Sequence, residues 1–195
     1  MATGWNVVVL AALCLCAQVA SAANADDLIN GSFDASSKKA RIDVARNLLD
    51  KVNRLADLVP TPRPSDLSWV EEEHAAIDRL GNSEASRARL EQFYETPEFQ
   101  HVKLYNLLLN VKNAIACVLE SNVQLRREIS CWATASFLLG DRNTLTYGMT
   151  ILQRAKRLPE DTLQKEKVGS LDLFQYYSRG IQEYLVLPYL RGEIK

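Results

Sequence analysis

Both histidines in the chain close a Glu-x-x-His quartet, Glu71-Glu72-Glu73-His74 and Glu98-Phe99-Gln100-His101. On a helix this spacing puts a carboxylate and an imidazole on one face, as the carboxylate-bridged di-metal bundles do. Glu71, His74, Glu98 and His101 are thus the candidate metal ligands, and a di-iron or di-manganese centre is the cofactor they would suit. A plainer expectation stands beside it. Acids gather in first helical turns because the helix dipole favours negative charge there, and a di-metal site needs an inward carboxylate from each of two further helices. Glu84 and Glu91 are poor donors for that role. The alternative is two structural histidines that lean inward, His74 between Val70 and Ile77, and His101 on a stripe with Leu104 and Leu108.

Other chemistry has less behind it. The sequence contains no Gly-x-Ser-x-Gly elbow, phosphate-cradling glycine loop or dinucleotide fingerprint. Of the four cysteines, Cys14 and Cys16 fall in an N-terminal apolar run, which leaves Cys117 and Cys131. An even pair in an exported chain reads as a disulfide. If the two lie on successive helices with the turn near Gln124, each is two helical turns from the bend, and an antiparallel hairpin brings them level. The bridge would close a 13-residue loop and add on the order of 3 kcal/mol.

Aromatic residues form a further constellation. Four of the seven tyrosines, Tyr176, Tyr177, Tyr184 and Tyr189, fall in the last 20 residues beside Phe174 and the run Leu185-Val186-Leu187. Tyr176 and Tyr177 point about 100° apart on a helix, so they cannot share one core. Such residues are enriched at protein interfaces, and these four are the candidate partner-binding residues.

The elements that must position these groups are all helical. Apolar residues at Ala45, Leu48, Val52, Leu55 and Val59 recur in steps of three and four, with Asp43, Asp50 and Asp57 opposite. That pattern predicts an amphipathic helix over 37–59. The proline-rich segment 60–64 is an extended linker. Ser68 and Glu71 fit a capping box that opens a helix to Leu80. Further helices are expected over 84–94, 97–120, 123–139, 143–158 and 170–187, with stops at Gly140, Pro159 and Pro188. The helix over 97–120 is the most apolar and should be central. No strand pattern of useful length appears, which predicts an all-α, single-domain bundle of six to seven helices over 37–195 with one inter-helix disulfide.

The first residues carry an address. Val7 to Ala17 is an uninterrupted apolar run followed by Ala20-Ser21-Ala22, the length and small-residue pattern of a cleaved signal peptide over 1–22. Met1 to Asn6 lacks the customary Lys or Arg. Residues 23–36 are polar, and Asn30-Gly31-Ser32 fits a glycosylation acceptor. Export to a periplasm or the extracellular space is the expected localisation, with no integral membrane segment in the mature chain. The balance of 23 Lys+Arg and 24 Asp+Glu, for a net charge of −1, gives no bulk attraction to nucleic acid. The expectation is a non-catalytic protein-interaction module, inhibitor- or immunity-like or structural, that engages a protein partner or a second copy of itself. The alternative is a metal-binding bundle.

Overall fold

The first helix, α1 (Lys38–Leu58), starts where Ser37 turns its hydroxyl to accept the Ala40 N–H at 3.3 Å. This satisfies one of the amides that a helix start leaves without a partner. Ala45, Leu48, Val52, Leu55 and Val59 are all buried, while Asp43, Asp50 and Asp57 are exposed. The computed structural model describes residues 34–120, 124–158 and 171–194. The segment 1–22 read as a signal peptide, Asn30 and Ser170 lie outside them.

The proline-rich linker delivers the chain to α2 (Pro64–Arg79) earlier than the capping box suggests. Pro64 takes the first helical position, where its missing N–H costs nothing, so Ser68 falls inside the helix instead of capping it. Beyond Leu80, Gly81 adopts a left-handed φ of 62°, which favours glycine. Helix α3 (Glu84–Tyr94) is capped by Ser83, and α4 (Pro97–Leu119) by Thr96.

Helix α4 is the centre of the molecule. Its length and apolar composition alone would suit a membrane span, yet Leu104, Leu108, Val111, Ile115 and Val118 are buried among the other helices. It packs against α1, α2, α5 (Leu125–Leu139) and α6 (Arg142–Arg154). Cys117 and Cys131 join α4 to α5, with Cα atoms 6.0 Å apart. Gly148 lets α6 approach α4, since a Cβ there would lie 3.3 Å from that of Leu104.

Two further boundaries differ from expectation. Helix α6 ends at Arg154 rather than near Leu158, and Lys156 takes a left-handed φ of 56° as the chain turns away. Helix α7 (Leu171–Ile181) continues through a π-helical turn (Gln182–Val186) and a last turn (Leu187–Leu190), so Pro188 does not stop it. The Leu187 N–H reaches back five residues to the Gln182 carbonyl. The wider turn carries the chain past a residue with no N–H to donate. Helix α7 lies on α5 and α6 and adds Phe174, Tyr177 and Ile181 to the core, and the π-helical turn adds Leu185. All regular structure among the described residues is helical, so the protein is an all-α single domain.

Candidate functional site

The four candidate metal ligands point to different places. His74 is exposed, with its Nδ1 3.3 Å from Asp78. Helix α2 buries only Asp66 and Ile77, so the inward lean expected of His74 is not realised. Glu71 is exposed. Glu98 is held by the guanidinium of Arg157. His101 alone is buried as expected, and its Nε2–H donates to the Pro60 carbonyl at 2.6 Å. Its Nδ1 is also buried, with no hydrogen-bond partner among the described residues. No group of three or more His, Cys, Asp or Glu among those residues is arranged to hold a metal ion.

The candidate tyrosines divide by helix phase. Tyr176 is exposed, Tyr184 and Tyr189 are half-buried, and Tyr177 is wholly enclosed. Tyr177 therefore belongs to the core and offers nothing to a partner, because the stripe it shares with Phe174 and Ile181 is the one α7 turns inward. Burial pushes its hydroxyl up to about 12.

A polar latch fixes the start of α2, which sequence reasoning missed. Asp66 is buried at the first turn and takes two hydrogen bonds from Arg63, of 2.8 and 3.2 Å. Arg157, from the turn after α6, adds a third at 3.3 Å while also holding Glu98 at the start of α4. These arginines, Arg63 first, keep the Asp66 carboxyl below its ordinary value against the opposing effect of burial. With His101 clasping Pro60, the latch ties the linker and the root of α2 to the bundle.

Beyond that root the α2–α3 hairpin stands largely clear. Helix α3 buries Phe93 alone. Between the two helices is a groove of about 450 Å³ with Trp69, Phe93, Ala85 and Ala88 among its apolar lining. Phe93 lies 5.7 Å from Trp69 and 4.6 Å from Phe99 between ring centroids, in tilted arrangements that favour aromatic contact. Arg89 spans the groove to Glu73 through two hydrogen bonds, one of 2.8 Å. That contact holds the Glu73 carboxyl below its usual range. The sequence signal for this site was weak. Trp69 and Phe93 stand 24 positions apart, and the alanines carry no pattern of their own.

Compared with known proteins, the chain matches no family model, no curated protein and no solved structure.

Proposed function

We propose that this is an exported, non-catalytic binding protein whose partner is another protein, and that the α2–α3 hairpin is its binding face. One observation carries the reading. Two helices totalling 27 residues bury only Asp66, Ile77 and Phe93, yet they hold between them a groove walled by Trp69 and open to the surface. Trp69 is half-buried in its wall, and Leu67, Leu80 and Tyr94 are each at least 40% exposed on the same hairpin. Helices retained mainly for the core would bury a stripe, as α1 does. Aromatic anchors beside small side chains are the composition of interface cores. A small ligand would need closer walls, whereas Ala85, Ala88, Arg89 and Gln92 are all exposed.

The test is a photo-crosslinking residue at Ala88, with matched probes at Tyr176 on α7 and at Asp50 on the outer face of α1, in protein exported by its native host. A discrete protein adduct is expected at Ala88, absent at Asp50 and lost in Trp69→Ala protein of unchanged helicity. An adduct at Tyr176 alone would move the binding face to the C-terminal helix. Adducts at no position, or equally at all three, would remove the reading.

A further inference from the structure

The charge of the molecule is unevenly distributed. Residues 63–96, from the latch arginine to the start of α4, hold eight Asp or Glu against four Arg, a local net of −4 in a chain whose total is −1. Helix phase places part of that excess along the groove. Glu84 and Glu91 share a row of α3 with Ala88, at spacings of four and three residues, and Glu72 follows Trp69 by one turn on α2. All three glutamates are exposed. The two charges inside the groove, Glu73 and Arg89, neutralise each other. The groove thus keeps apolar walls at Trp69, Ala85 and Ala88, is crossed by a neutral ion pair, and has uncompensated glutamates on the helix rows beside it.

Resting on the reading of this groove as a binding face, we propose that its occupant is a basic amphipathic helix of a partner protein. The helix would seat an apolar stripe on Trp69, Ala85 and Ala88, with buried Phe93 backing Trp69 from beneath, and would carry Lys or Arg on its flanks toward Glu72, Glu84 and Glu91. The groove favours a helix over an extended strand because both walls are helices whose backbone groups are already bonded internally, leaving no sheet edge to extend. The 11 residues of α3 give a trough about 16 Å long, which matches three turns of a docked helix. The acidic rim would speed encounter with a basic segment and reject an acidic one by like-charge contact. The exposed alanines leave room for the partner's larger side chains.

The probes are three synthetic helical peptides with the same apolar stripe, flanked by Lys and Arg, by Glu, or by Ser and Gln. They are titrated into the full-length exported protein by fluorescence anisotropy. The basic peptide should bind at least tenfold tighter than the acidic one and weaken as salt rises, since exposed charges are screened. Ala88→Phe, which fills the groove from an exposed position, should abolish binding with the thermal midpoint unchanged. The pair Glu72→Lys and Glu91→Lys should erase or invert the preference. Equal binding of basic and acidic peptides, binding indifferent to Ala88→Phe, or no binding of any peptide would overturn the proposal. The crosslinking test separates the two levels of failure. An Ala88 adduct that survives the Glu72→Lys and Glu91→Lys pair keeps the groove as the binding face but removes the basic partner, whereas loss of every Ala88 adduct in the parent protein removes the groove itself.

Discussion

Arg41 and Glu128 show what a single residue decides in this fold. Their side chains are buried and meet in a fork of 2.6 and 3.2 Å, while a third guanidinium hydrogen bond of 2.5 Å goes to the Ala35 carbonyl. The pair pins the start of α1 to the start of α5 across 87 positions of sequence. Removing one partner strands the other as a buried charge, so Arg41→Ala should lower stability by about 3–5 kcal/mol in chemical denaturation. The combined Arg41→Met and Glu128→Leu protein should lose far less. Tyr177 gives a second prediction of opposite sign. Its hydroxyl is buried with no partner among the described residues, so Tyr177→Phe should be neutral or stabilising by up to about 1 kcal/mol. Tyr177→Ala should cost about 3–5 kcal/mol through the cavity it leaves. A tyrosine reserved for a partner would show neither effect. Neither the ion pair nor the enclosure of Tyr177 was legible in sequence, because charged residues this far apart carry no local periodicity, and adjacent tyrosines on a helix do not reveal which of them faces inward.

Helices were far more legible than residues, for a physical reason. The stripe of α1 and the Thr96-Pro97 start of α4 are local signals, and both match the structure. Boundaries were missed where one local signal masked another. Pro64 overrode the Ser68 capping box, and the π-turn before Pro188 let a proline sit within a continuing helix. The α2–α3 hairpin is the element most exposed to perturbation, since its root depends on Asp66 and Arg157. The folded-state value of Asp66 lies below its ordinary 3.8, so its stabilisation is complete above that value and is lost as pH falls through the lower, folded one. Hydrogen exchange should show α2 and α3 amides losing protection below about pH 4 before those of α4 do. In Asp66→Asn protein the two helices should already be less protected at neutral pH, and that early loss should no longer depend on acid. Arg157→Met should loosen the same amides and leave α4 beyond its first turn unchanged. Uniform loss across all helices would show that the hairpin does not open separately.

For the molecule as a whole, the class was readable from periodicity, and the uneven charge is readable from composition once the hairpin is seen as a unit. What periodicity could not provide is the separation between a core made by α1, α4, α5, α6 and α7 and a hairpin held mainly to α4. The covalent staple belongs to the first part. Replacing Cys117 and Cys131 by alanine should lower global stability by about 3 kcal/mol while leaving groove binding intact under native conditions, a difference that denaturation and peptide titration would resolve.

The cysteines stand only 14 positions apart in the sequence, and this bears on the order of assembly during synthesis. Contacts between near neighbours form before distant ones. The α4–α5 hairpin can close and oxidise while α7, which supplies Phe174, Tyr177 and Ile181, is still to be made. The newborn chain would then wait as a stapled but unfinished core, its α5 face bare until the last helix arrives.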